Sequence, residues 1–338
     1  MLKITIFILL VVLALFLYYF FVGKAPKQKN ATEWGVNFSQ MQADALGLDW
    51  KETYSSVLDD LGVKNIKLLT QWDKIEQQKD DYFFDDIDWQ IEQARFKSAK
   101  IIYVVGMKSG RWPECHIPDW AKNLSKEEQQ TEILKYIETV ILRYKDNDAI
   151  VMWQVENEPL FKFGQCPWYD KNFLKKEVEL VKKLDPKRQI IVSDSGEQST
   201  WFGASEIGDM VGVTMYRKVW AGTEKFGFYA SFPLPPVHYW RKAQIIKKIF
   251  NKEVMCVELQ AEPWASELFY DVPIEEQEKT MNLEQFKKNI KYAEDTGLKG
   301  FYFWGVEWWY WMKETQNRPE IWNEAKKLFR GAGLDNGL

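Results

Sequence analysis

The chain has 338 residues, a net charge of −4 and 17 tryptophans, while histidine occurs only twice. Two histidines, His116 and His238, cannot supply a His-rich zinc site and leave little room for a Ser-His-Asp triad. The acidic balance argues against an electrostatic nucleic-acid binder, and 46% hydrophobic with 28% charged residues reads as globular.

The first element in chain order is an uncharged apolar run from Ile4 to Val22, nineteen residues long. That length lies within the roughly 17–25 residues needed to cross a bilayer as a helix, whereas a secretory signal has an apolar region of about 7–15. The run closes on Tyr18, Tyr19, Phe20 and Phe21, a border suited to the membrane interface. The expectation is an uncleaved transmembrane signal-anchor over residues 1–23, with a cleaved signal as the alternative, and a polar tether over 24–32. Lys24, Lys27 and Lys29 would favour a cytoplasmic domain by the positive-inside rule, but large domains translocate largely regardless of nearby charge.

From Glu33 onward, short apolar runs alternate with amphipathic stretches. The spacing predicts strands at Trp34–Phe38, Asn65–Leu69, Ile101–Val105, Ile150–Val155, Gln189–Ser193, Val211–Met215, Val254–Val257 and Gly300–Trp304. Several are continuous apolar runs, as in parallel strands buried on both faces. Helical periodicity marks Thr53–Leu61, Lys126–Tyr144, Phe173–Leu184, Tyr239–Phe250 and Leu283–Asp295. Asp49 and Ser125 stand at N-cap positions, with Gly62 and Gly297 at helix exits. Eight such units predict a (β/α)8 TIM barrel over 33–330 with a short tail over 331–338; a doubly wound sheet shares the alternation and is the alternative. Strand starts recur every 38 residues or so on average, against about 31 in a typical barrel. The surplus falls in loops 106–124, 159–170, 217–234 and 259–280, which in this fold would build the active-site face. No GxGxxG or P-loop sequence opens a helix.

Chemistry is expected where the strands end. The fourth strand runs into Asn157, Glu158 and Pro159, and Glu258 directly follows the seventh. Two glutamates facing one cavity form the pair that glycoside hydrolysis requires: one protonates the leaving oxygen, the other attacks the anomeric carbon or activates water. On the Asn-Glu-Pro end of strand four and the glutamate of strand seven, the chain resembles a clan A retaining glycoside hydrolase of the cellulase-like and mannanase-like (β/α)8 superfamily. The resemblance implies Glu158 as general acid/base with a raised pKa and Glu258 as nucleophile. It further implies Asn157 on the sugar 2-hydroxyl, Tyr216 as a donor near the nucleophile and Trp304 as the platform beneath the reacting sugar. Glu156, two residues before Glu158, Glu307 beyond strand eight and above all Glu262 compete for these roles; Glu262 is a nucleophile candidate or a sugar ligand. Lys67 stands where related enzymes often carry an arginine and cannot offer a bidentate fork.

Trp112, Trp168, Trp220 and Trp264 fall in the long loops, where indole can pack on sugar C–H faces. Trp308, Trp309 and Trp311 follow strand eight, in what reads as its loop. Trp112, Trp264 and His116, in RWPECH, join the expected substrate contacts. Trp34, Trp89 and Trp322 read as core. Cys115 and Cys166 lie in neighbouring loops, so a bridge between them and three free thiols both remain open, with Cys256 buried in strand seven. Asn30, Asn37 and Asn123 head glycosylation-type triplets. The reading is a membrane-anchored retaining β-glycosidase of an oligo- or polysaccharide, its barrel outside the cytoplasm, with no metal or cofactor. A catalytically silent glycan-binding barrel, or a transglycosylase using the same glutamates, are the alternatives.

Overall fold

The computed structural model describes residues 2–28, 31–223 and 226–331. Residues 29 and 30 of the expected tether, with the Asn30 triplet's asparagine, and 332–338 of the expected tail lie outside the described residues. Eight strands form the barrel: β1 (Glu33–Ser39), β2 (Asn65–Leu69), β3 (Lys100–Val105), β4 (Ile150–Val155), β5 (Gln189–Asp194), β6 (Met210–Met215), β7 (Val254–Gln260) and β8 (Gly300–Trp304). Each pairs in parallel with its sequence neighbours, and β8 pairs with β1 to close the ring. A closed ring excludes the doubly wound alternative, because no strand is left as an edge.

The predicted strands agree to within a residue at either end, except that β7 runs three residues further, through Gln260. Helices fall where periodicity put them. Lys126–Tyr144 opens with a capping box in which Ser125 and Glu128 satisfy each other's backbone N–H groups, and Asp49 caps Trp50–Asp59. Gly62 and Gly297 adopt the positive φ of a helix exit.

Two apolar layers hold the barrel. The inner one gathers Ile102, Ile191, Met255, Val257 and Tyr302, and the outer one lies between the strands and the helices. Trp34, stacked 5.1 Å from Phe303, and the fully buried Trp322 belong to the outer layer, as expected. Trp308 and Trp309 correct the sequence reading. They sit on a helix, Val306–Glu314, and are fully buried in the core rather than in a loop. Their indole N–H groups donate to Gln277 and to the Ala261 carbonyl. Trp168 likewise packs edge-on against Phe173 and donates to Gln129.

The N-terminal helix, Leu2–Phe21, contains the stretch Ile4–Phe21 with mean hydropathy 2.8, long and apolar enough to cross a membrane and unburied by the barrel. Its end docks on the helix Pro236–Phe250. Arg241 donates to the Tyr18 and Val22 carbonyls at 3.2 and 2.8 Å and covers the Tyr19 ring, while Phe20 and Phe21 flank His238. Loop 217–234 contains a hairpin of Lys218–Gly222 and Gly227–Ser231. Cys115 and Cys166 are joined, Cα atoms 5.2 Å apart, and Cys256 is free and buried. Asn37 is fully buried and donates to barrel carbonyls, so its triplet is not a surface acceptor.

Candidate active site

At the C-terminal ends of the strands, Glu158 and Glu258 come together, both buried, by different local geometry. β4 stops at Val155, and both Glu156 and Glu158 then take positive φ, 58° and 43°. Such left-handed glutamates are uncommon and cluster where a site over-determines the backbone. The kink separates two residues that an ideal strand would place on one face. The Glu156 carboxylate turns to the backbone N–H groups of Met107 and Lys108, at 2.7 and 2.5 Å, and to Glu177. It packs on Gly106, where a Cβ would collide with it. Glu156 is therefore a brace for the loop after β3, not a rival for catalysis.

Glu158 is buried. Its backbone N–H donates to Ser193 at 2.8 Å, and its carboxyl accepts from Thr214 at 3.0 Å. Lys108 clamps the turn by donating to the Glu158 and Phe161 carbonyls. Burial, with the negative field of Glu258 and Glu114 adding to it, pushes the Glu158 carboxyl well above the usual range, against the opposing pull of Lys108 and Thr214.

Glu258 owes its direction to an irregularity in β7. Met255 and Val257 face the inner layer, while Cys256 and Leu259 face outward, so strict alternation would turn Glu258 toward the helices. The register between β6 and β7 shifts between Val213 and Thr214, and Glu258 follows Val257 inward beside Thr214. This is the effect of a bulge, which re-aims a side chain next to a site. Two donors meet the carboxylate there: Lys67 at 3.0 Å on one oxygen and Tyr216 hydroxyl at 2.9 Å on the other. Lys67 also donates to Asn157 at 3.4 Å, and Gln154 donates to the same amide oxygen at 3.1 Å. The lysine that departs from the expected pattern thus supplies single bonds to the two groups an arginine fork would have bridged.

The loop after β3 delivers what the sequence reading missed. Arg111, in the left-handed region at φ 66°, lays its guanidinium 4.2 Å from the centre of the Trp304 ring and bonds to Glu262 on one side and to Glu307, at 2.9 Å, on the other. Glu307 also accepts the Ser39 N–H at 2.6 Å. Glu262 and Glu307 are accordingly both fixed by Arg111. Burial raises both carboxyls, Glu262 to about 7, although Arg111 opposes the rise. Glu114, from the same loop, is buried and lies beside Asn157. Gly110 lets the loop pass this close, since a Cβ there would lie 3.2 Å from Trp304 and 3.4 Å from Asn157. His116, expected among substrate contacts, is instead 1% exposed, bonding at 2.9 Å to the Gly110 carbonyl and facing Asp73. It props the loop from behind. A buried arginine flanked by an acid beyond β7 and another on the helix after β8 was the available signal, but nothing in RWPECH alone announced those partners.

Aromatic rings line one wall. Tyr216 meets Trp264 edge-on at 5.0 Å, Trp264 meets Phe163 at 5.8 Å, and Phe163 meets the half-exposed Trp112 at 6.3 Å. Trp304 packs with Leu69 and Val104, and Tyr216 lies against them. Trp220 packs on Tyr229 within the hairpin.

Comparison with known proteins agrees with this geometry. The family described as glycosyl hydrolases family 2, TIM barrel domain, matches residues 94–232. The chain folds as a (β/α)8 barrel, and its residues 94–232 are similar to that glycosyl hydrolase domain. A 71-residue stretch is 32% identical to a probable mannan endo-1,4-beta-mannosidase A of Aspergillus niger, covering 20% of this chain and only 17% of that protein. Among solved structures, GH5_18 from Streptomyces cattleya in complex with GlcNAc superposes with a TM-score of 0.57 and 12% identity, over 82% of this chain and 71% of that one. Native xylanase 10B from Thermotoga maritima gives 0.55 and 16%, over 81% and 82%. At these identities the superpositions speak for the barrel fold.

Proposed function

We propose that the barrel hydrolyses β-glycosidic bonds of an oligo- or polysaccharide by double displacement. The observation that carries the reading is the contrast between its two central carboxyls. Glu258 accepts from an ammonium and a phenol, an environment suited to an anion, whereas Glu158 receives a single hydroxyl in a buried setting that favours its proton. Two neighbouring carboxyls whose surroundings divide the acid and anion roles are the arrangement this chemistry needs.

Glu158 would protonate the departing glycosidic oxygen while Glu258 attacks the anomeric carbon, forming a glycosyl-enzyme. Glu158, now a carboxylate, would then take a proton from water as it releases the sugar with retained configuration. Asn157 would bond the 2-hydroxyl, and Trp304, Trp264 and Trp112 would carry sugar rings, with Glu262 within the same wall. The apolar helix Leu2–Phe21 would hold the barrel at a membrane, outside the cytoplasm.

The test is kinetic and stereochemical. Glu258→Ala should abolish turnover. Glu158→Ala should spare aryl glycosides with acidic leaving groups relative to sugars, because those leaving groups need no proton. Proton NMR of the first product should reveal the β-anomer. Full activity in both variants, or an α-anomeric first product from a β-glycoside, would overturn the reading.

A further inference from the structure

Glu114 is a buried acid that the two-glutamate reaction does not use. It comes from the loop after β3, itself at φ 76°, and its backbone N–H turns back to the Arg111 carbonyl at 2.5 Å. Its side chain lies under Gly164, where any Cβ would strike it, so the neighbouring loop seals it. The Cys115–Cys166 bridge ties those two loops together one residue further on. The carboxyl lies beside the Asn157 side chain, and its Oε2 is buried without a partner. Asn157 has its amide oxygen committed to Lys67 and Gln154, so its NH2 group is the end left for the neighbouring Glu114 carboxyl.

We propose that Glu114 is a positioning residue of the active site, fixing the orientation of the Asn157 amide and setting a third carboxylate in the field of Glu158 and Glu258. The groups that face it are Lys108 and Lys67, which favour its anion, and Glu258, Glu158 and Tyr169 on the opposing side. Burial prevails and pushes the Glu114 carboxyl up to about 7. As it ionises, its charge further disfavours loss of the Glu158 proton. The acid form of Glu158 is thereby extended to higher pH, and the residue that bonds the reacting sugar keeps one amide orientation.

The kinetic part of the test rests on the glycosidase reading; the titration does not. Carbon-13 NMR of glutamate-labelled full-length protein in detergent micelles follows the side-chain carboxyls, with Glu158 assigned by loss of its signal in Glu158→Gln. In Glu114→Gln the Glu158 midpoint should fall by about one pH unit. The alkaline limb of kcat/KM should move down with it, and Glu114→Asp, which keeps the charge, should return both toward wild type. Should Glu114→Gln not fold, the wild-type Glu158 curve still decides, since coupling gives it a second inflection at the Glu114 midpoint. Superimposable Glu158 titrations in wild type and Glu114→Gln, or a single-step wild-type curve, overturn the proposal. An inactive wild-type enzyme with shifted titrations would sink the glycosidase reading and leave this one standing.

Discussion

The Lys67 ammonium lies 3.0 Å from the Glu258 carboxylate, with the lysine side chain wholly out of solvent and the glutamate nearly so. Breaking such a pair leaves a buried charge uncompensated, which costs about 3–5 kcal/mol. Lys67→Met should therefore lower the melting temperature and, by removing a preorganised donor to Glu258, cut kcat/KM by about 100-fold or more. Thermal unfolding and initial rates check both; unchanged kinetics would remove Lys67 from the site.

The Thr214 hydroxyl stabilises the Glu158 anion, so it works against the burial that keeps Glu158 protonated. Thr214→Val should raise the Glu158 pKa, and activity should persist to higher pH before the acid is lost. A pH profile of kcat/KM is sufficient, and a limb displaced downward would contradict the assignment of Glu158 as the acid.

Glu197 reports on stability. It is half-buried, accepts from the Tyr239 hydroxyl at 2.6 Å and the Tyr216 N–H at 2.8 Å, and is pushed up to about 7 by desolvation. A carboxyl raised on folding stabilises the fold fully below its unfolded value of 4.5, and that contribution is lost as pH rises through about 7. Relative to Glu197→Gln, wild type should lose up to about 3 kcal/mol of unfolding free energy between those limits. Denaturant titrations at pH 4.5 and pH 8 measure the difference.

The Cys115–Cys166 bridge closes a 51-residue separation, for which loop entropy gives about 4 kcal/mol. It also anchors the segment that carries Arg111 and Glu114. Cys115→Ser should thus cost stability and turnover together. Rates measured with and without reductant, at a temperature where the reduced protein stays folded, should separate the two effects.

Deleting residues 1–22 should release the barrel from membranes into the soluble fraction with its rate intact. The helix end touches the barrel through Arg241 and His238, both on the helix Pro236–Phe250 and neither at the strand ends that carry the two glutamates. Fractionation followed by assay checks this.

The barrel was legible because its signals are local: apolar runs set strands, and Asp49 and Ser125 set helix starts. Glu158 was legible for the same reason, standing at a strand end before proline. The direction of a side chain was less so. Alternation put Glu156 and Glu158 on one face, and only the two left-handed residues separate them. Trp308 and Trp309 looked like loop residues because the strand before them is as aromatic as they are, which hides the change to a helix. The roles of Arg111 and Glu114 depend on Glu262, Glu307 and Asn157, partners 151, 196 and 43 positions away. No window of the sequence contains them.

The shifted register of β7 works like a reading frame. A chain of the same length whose β7 kept strict alternation would retain eight strands and still superpose on the same relatives, yet present its glutamate to the surrounding helices. Two barrels of this kind can be indistinguishable as folds and differ completely as catalysts. What separates them is a single residue of slack, just upstream of that glutamate.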